Sequence, residues 1–144
     1  MPKAGGDADA WVEAYTAPSG WHRLDQAQRR LESLLTTLDE EPAERPLLRV
    51  REAYDNACRA MATGFTRALA SGRWELKRAL HQTRVHSEVL AGRPRPVAYV
   101  LVDAMRFEMA VELVGRLPKG AETNLRAAAA ALPSITPVGM GALM

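Results

Sequence analysis

Apolar residues recur at helical spacing in two long stretches near the amino terminus. Leucines with charged residues between them follow this spacing over residues 21–38, and a second stretch covers residues 47–69. Turn residues at 41–42 end the first stretch, and the Ser-Gly pair at 71–72 ends the second. The pattern predicts two amphipathic helices that pack as a helical hairpin or small bundle, with a short third helix over residues 74–80.

The pattern changes after residues 91–96, where glycine and two prolines interrupt helical periodicity. Residues 97–102 form a continuous apolar run rich in β-branched side chains, which is typical of a parallel strand buried on both faces. Asp103 ends the run, and apolar residues then recur every four positions over residues 105–117. This order of strand, turn and helix predicts the beginning of an α/β unit.

The last part of the chain contains a strand or helix and then a final helix. The alanine run within residues 123–132 has high helix propensity, whereas the topology calls for a second strand, so both interpretations stay open. Residues 132–137 form a turn before a helix predicted at residues 138–143. Thr136 is expected to be its N-cap, with Pro137 at the first helical position.

These elements predict an α/β fold with a helical segment before it. We expect a flexible amino terminus over residues 1–20, a helical extension over residues 21–92 and the first part of an α/β domain over residues 93–144. Residues 141–144 carry no C-terminal capping signal. The chain is therefore expected to be truncated within that domain.

Composition narrows the class of protein. The 144 residues are 47% hydrophobic, enough for a modest core, and the net charge of +2 does not favour nucleic acid or an acidic membrane as a partner. Cys58 is the only cysteine, so no internal disulfide is possible and a reducing, cytoplasmic location is expected. The three histidines are too scattered to predict a metal site: His22, His81 and His86.

Asp103 is the first candidate for chemistry. A carboxylate at the carboxyl end of a buried strand needs a partner or a metal, and ligands of open α/β sheets bind at that edge. Alternatively, Asp103 caps the helix that follows it. The residues alone leave both interpretations open.

Thr136 is the second candidate, 33 residues after Asp103. A hydroxyl at a helix N-terminus lies where backbone amides and the helix dipole favour an anion such as phosphate. It becomes a good nucleophile only when a base or a metal lowers its pKa. The alternative is a plain N-cap that contributes about 1 kcal/mol to stability.

Two segments resemble motifs of the PglZ family. Residues 97–110 contain the form VDAxRxE, and residues 132–140 read LPSITPVGM. The segment at residues 81–85 also resembles the stretch before the first strand of these proteins. The resemblance covers roughly residues 82–144.

The resemblance implies a place in the alkaline phosphatase superfamily and in bacterial anti-phage systems, namely phage growth limitation and bacteriophage exclusion (BREX). It implies a divalent metal, zinc by preference, with Asp103 as a ligand and Thr136 as the nucleophile or a bridging hydroxyl. Arg106 and Glu108 belong to the first motif but are not assigned to the site. Arg106 is expected to pair with a carboxylate at the turn between strand and helix, and Glu108 to interact favourably with the dipole of the following helix.

The resemblance further implies a metal-dependent phosphatase or phosphodiesterase that works with other proteins of the defence system. Zinc takes about four ligands, so this chain alone is expected to be inactive. The alternatives are an interaction or scaffold module of the same system, and a fragment without activity.

Overall fold

The computed structural model describes residues 6–38, 44–94 and 96–144. They form two compact units, Met1–Glu75 and Leu76–Met144. The elements in chain order are α1 (Ala8–Thr16), α2 (His22–Leu35), α3 (Glu44–Ser71), β1 (Leu80–His81), a 3₁₀ turn (Gln82–Arg84), a π-helical turn (His86–Leu90), α4 (Phe107–Arg116), β2 (Ala128–Ala129) and α5 (Thr136–Leu143). In these ranges, no helix combines the length and the apolar character needed to span a bilayer.

The first unit is helical, as the apolar periodicity predicts. Helices α2 and α3 lie where the two amphipathic stretches were expected, although α2 ends at Leu35, three residues before the predicted limit. Helix α1 falls within the first 20 residues, for which the sequence predicted no element. Asp7 caps it by accepting a hydrogen bond of 2.9 Å from the backbone N–H of Ala10.

Tryptophans and small residues form the centre of this unit. The rings of Trp11 and Trp21 pack with centroids 5.2 Å apart. Gly64 of α3 lies directly against the Trp11 ring, since a Cβ atom there would approach Cη2 of the ring to 2.0 Å. Ala57 and Ala68, also on α3, are buried. Small side chains on α3 thus leave room for the indoles of the preceding segment.

A carboxylate on α2 ties the three helices together. Asp25 accepts hydrogen bonds from the hydroxyls of Tyr15 and, at 2.8 Å, Tyr54, which come from α1 and α3. Arg51 on α3 also donates two hydrogen bonds to Glu32 on α2, at 2.8 and 2.7 Å. The second pair is exposed and screened by solvent, so the Asp25 cluster contributes more to holding the helices.

The environment of the Tyr54 hydroxyl leads us to expect that the free energy of unfolding falls at alkaline pH. Burial, and then its hydrogen bond to Asp25, raise the pKa of Tyr54 above its ordinary value. A raised pKa favours the neutral phenol in the folded state, so this stabilisation is complete below about pH 10, the unfolded pKa, and is lost progressively above it. We expect the free energy of unfolding to fall less steeply above about pH 10 in Tyr54→Phe than in the wild type.

Urea unfolding at a series of pH values measures this effect. At neutral pH, Tyr54→Phe should lower the free energy of unfolding by about 1 to 2 kcal/mol, because one hydrogen bond to a carboxylate is lost. Tyr99→Phe is the matched control, because Tyr99 is exposed and its hydroxyl donates a long hydrogen bond of 3.4 Å to the Leu143 carbonyl. Parallel pH curves for Tyr54→Phe and the wild type would contradict the prediction.

The second unit contains a small parallel sheet, which confirms the predicted α/β class with helices first and a sheet after them. Strand β1 pairs with β2 in the register Leu80 to Ala128 and His81 to Ala129. The open question about residues 123–132 is therefore decided in favour of a strand. Helix α4 lies where apolar spacing predicted a helix, and α5 lies where the turn at residues 132–137 and the Thr136–Pro137 pair predicted one.

Two predicted elements are wrong. Residues 97–102 form no hydrogen-bonded strand, and Val100 is 76% exposed, because neither β1 nor β2 extends along this run to pair with its backbone. The helix predicted over residues 74–80 is also absent from the described structure. Arg73 and Trp74 take left-handed φ angles of 56° and 63°, which end α3 and cannot continue a helix.

Candidate functional site

Asp103 is held by the tight turn that follows residues 97–102. Ala104 has a φ angle of 53°, a left-handed conformation that costs a residue with a Cβ about 1 kcal/mol or more. Asp103 Oδ1 accepts the Ala104 N–H at 2.9 Å. Helix α4 begins at Phe107, and its N-cap residue Arg106 makes no capping bond through its side chain. Asp103 is one turn too early to cap α4, so the capping interpretation is wrong.

Thr136 begins α5 and points its hydroxyl toward this carboxylate. Thr136 Oγ1 donates toward both carboxylate oxygens of Asp103, at 3.3 Å from each. The N-cap position is occupied by Ile135, so the prediction of Thr136 as N-cap is displaced by one residue, and no side chain caps this helix. The two candidates are thus brought together across 33 residues of sequence.

The pair is exposed and offers only oxygen donors. A carboxylate and a hydroxyl are suitable ligands for a divalent cation, so the donor set fits one side of such an ion. In the part of the chain that the structure describes, no group of three or more His, Cys, Asp or Glu side chains is arranged to hold a metal. Further donors would have to come from water, substrate or other residues.

The sequence of this unit matches a known family over the same region. Residues 80–144 match the PglZ family. The matching model describes the BREX system PglZ alkaline phosphatase-like domain, and both strands of the sheet, α4, α5, Asp103 and Thr136 fall inside the match. The match confirms the resemblance read from the two motifs, and it covers slightly less than half of the chain. No curated protein and no solved structure matches the chain.

The other charged residues of the first PglZ motif form an ion pair. Arg106 Nε lies 3.0 Å from Glu108 Oε1, and the Glu108 side chain is 0% exposed whereas Arg106 is about half exposed. Arg106 therefore pairs with a carboxylate at the turn into α4, the role expected of it from the sequence. A buried carboxylate needs such a cation, because its own desolvation is costly.

Two of the three histidines, His22 and His81, form local hydrogen bonds. His22 is buried, and its Nδ1 donates to the Tyr15 carbonyl at 2.8 Å, which places the proton on that nitrogen. His81 Nδ1 lies 2.8 Å from the Thr83 hydroxyl, within the segment that enters the 3₁₀ turn.

Sequence reasoning missed Gln82, whose side chain reaches the loop before α5 and α5 itself. The resemblance of residues 81–85 to the family was the signal available, but it pointed to a segment and not to a residue. A half-buried polar side chain at the end of a strand has no periodic pattern to identify it.

Proposed function

We propose that the PglZ-matching region belongs to a metal-dependent phosphohydrolase, a phosphatase or phosphodiesterase, of a bacterial anti-phage defence system. Asp103 is a metal ligand in this proposal, and Thr136 is the nucleophile. The observation that supports it is the approach of the Thr136 hydroxyl to both oxygens of the Asp103 carboxylate, at 3.3 Å. The match of residues 80–144 to an alkaline phosphatase-like domain supplies the reaction class.

The side chains present can orient the attacking oxygen. The Thr136 proton points toward the Asp103 carboxylate, so the remaining lone pairs of Oγ1 face away from it, and the hydroxyl is exposed to an approaching phosphate ester. The N-terminal amides of α5 favour an anion at the same place. A divalent metal, zinc by preference, would lower the pKa of the Thr136 hydroxyl and polarise the phosphoryl oxygen of the substrate when bound to Asp103 and Thr136.

Removal of the Asp103 carboxylate tests the ligand assignment. We expect Asp103→Ala to weaken Zn²⁺ binding at least about tenfold, because a charged oxygen donor is lost. Isothermal titration calorimetry with Zn²⁺, and separately with Mg²⁺, measures the affinity. The measurement uses this chain and, if the reading frame extends past residue 144, its full product.

Asp55→Ala is the matched control, since Asp55 is an exposed carboxylate on α3. It should bind Zn²⁺ as the wild type does. Equal affinities of Asp103→Ala and the wild type would refute the ligand role. Tighter binding of Mg²⁺ than of Zn²⁺ by the wild type would replace zinc as the preferred ion.

The wider context is proposed from the same match. Other proteins of the defence system are the expected partners, and direct binding of nucleic acid is not expected of this chain, because its net charge is only +2. A cytoplasmic location agrees with the free thiol of Cys58.

A non-catalytic interaction module is the second candidate. Large apolar side chains are exposed in the helical unit, among them Leu34 at 64% and Leu48 at 57%. Exposed apolar surface of this kind is common where another protein binds. Turnover of bis-p-nitrophenyl phosphate by the full product of the reading frame separates the two, since a scaffold would neither hydrolyse the ester nor need Asp103.

A further inference from the structure

Gln82 lies at the junction between the sheet and the segment that carries Thr136. It directly follows β1 and begins the 3₁₀ turn Gln82–Arg84. Its side chain is half-buried, whereas Thr136 and Asp103 are exposed. Helix α5 packs against this turn. Gln82 thus connects the site to the most buried strand residue of the unit, Leu80.

The side-chain amide of Gln82 makes two hydrogen bonds, one as a donor through its nitrogen and one as an acceptor through its oxygen. Its Nε2 donates to the Gly139 carbonyl at 3.1 Å, and its Oε1 accepts the Ala131 N–H at 3.0 Å. A carbonyl only accepts and a backbone N–H only donates, so the orientation of the amide is determined by its partners. Among the standard side chains of this length, a neutral amide meets both requirements and a carboxylate does not.

These two hydrogen bonds lie on either side of Thr136 in the sequence. Ala131 follows β2 by two residues, and Gly139 lies within the first turn of α5, so Thr136 lies between them. The Gln82 amide lies close to the α5 backbone here, since a Cβ at position 139 would be in van der Waals contact with Gln82 Nε2, at 3.4 Å. Gln82, the residue after β1, is therefore bonded to the loop at Ala131 and to α5 at Gly139, on either side of Thr136.

We propose that Gln82 is a positioning residue that holds Thr136 opposite Asp103. The expected effects of Gln82 on metal binding and turnover rest on the proposed function. The position of Thr136 can be measured without metal binding or turnover. The hydrogen bonds of the Gln82 side chain go to the backbone of Ala131 and Gly139, whereas the Thr136 hydroxyl bonds to Asp103.

The test compares Gln82→Leu and Gln82→Glu with the wild type. Leucine removes both hydrogen bonds at similar volume, and ionised glutamate keeps the bond from Ala131 while losing the donor to Gly139. We expect Gln82→Leu to shift the NMR signal of the Thr136 methyl group, to speed hydrogen exchange at the Ala131 amide and to weaken Zn²⁺ binding about tenfold. Gln82→Glu should show a smaller shift and a protected Ala131 amide.

Gln28→Leu is the matched control, because Gln28 Nε2 donates to Glu32 within α2, at 2.7 Å. It should leave the Thr136 signal and the Zn²⁺ affinity unchanged. Thermal unfolding of each variant separates a general loss of stability from a local displacement. In turnover, a positioning role lowers kcat with little change in KM.

An unchanged Thr136 methyl signal in folded Gln82→Leu would overturn the inference. So would a Zn²⁺ affinity equal to that of the wild type, where the wild type binds the ion. If the wild type neither binds Zn²⁺ nor hydrolyses the ester, the proposed function fails. A shifted Thr136 signal in that case would still support the positioning role.

Discussion

Thr136→Ala should reduce hydrolysis of bis-p-nitrophenyl phosphate by at least about 10³-fold in the zinc-loaded full product of the reading frame. The proposed reaction needs an oxygen that attacks phosphorus, and alanine has none. Zn²⁺ affinity should fall less than in Asp103→Ala, because the hydroxyl is neutral and the carboxylate is charged. Steady-state turnover, with the metal content of each sample measured, tests this expectation.

Two further variants make the result specific. Thr136→Ser retains the hydroxyl and should keep turnover within about tenfold of the wild type, since the nucleophilic oxygen stays in place. Thr123→Ala removes an exposed threonine hydroxyl in the loop before β2 and should have no effect. Undiminished turnover in Thr136→Ala would mean that another group attacks phosphorus, and the assignment would be abandoned.

Gly64→Ala should lower the free energy of unfolding by about 2 to 3 kcal/mol. A Cβ at this position would approach Cη2 of the Trp11 ring to 2.0 Å and Cζ2 to 2.3 Å, so the indole or the helix must move. Overpacking of this kind outweighs the roughly 1 kcal/mol that alanine contributes over glycine within a helix. Urea unfolding followed by far-ultraviolet circular dichroism measures the change.

Gly115→Ala is the matched control within α4, where a Cβ would meet no atom within 4 Å. The same substitution should be neutral or should stabilise by up to about 1 kcal/mol, because only helix propensity changes. Shortening the indole partner, in Gly64→Ala with Trp11→Leu, should cost less than the sum of the single changes. Additive losses would mean that the contact with Trp11 is not the cause.

The helices could be predicted from the sequence because their information is local. Apolar spacing located α2, α3 and α4 to within a few residues, since each presents one apolar face at a period of 3.6 residues. The turn at residues 132–137 and the Thr136–Pro137 pair located α5. Helix α1 was missed because it lies among small residues and its stabilising contacts, such as Trp11 with Gly64, come from α3.

The strands could not be assigned in this way. Residues 97–102 have the composition of a buried strand, yet the two strands that pair are two residues each, at Leu80–His81 and Ala128–Ala129. A two-residue strand has no period to detect, and strand formation depends on a partner's backbone, which local composition does not specify.

The sequence by itself determined the main helices, and its motifs identified Asp103 and Thr136 as candidate site residues. Only the tertiary structure decided that the hydroxyl faces the carboxylate, that neither side chain caps a helix and that Gln82 connects the loop and α5 to β1. The physical reason is the separation along the sequence of the residues that interact. Helical periodicity arises between residues three or four apart, whereas the site depends on hydrogen bonds between residues 33 to 57 positions apart, which exist only after the chain has folded.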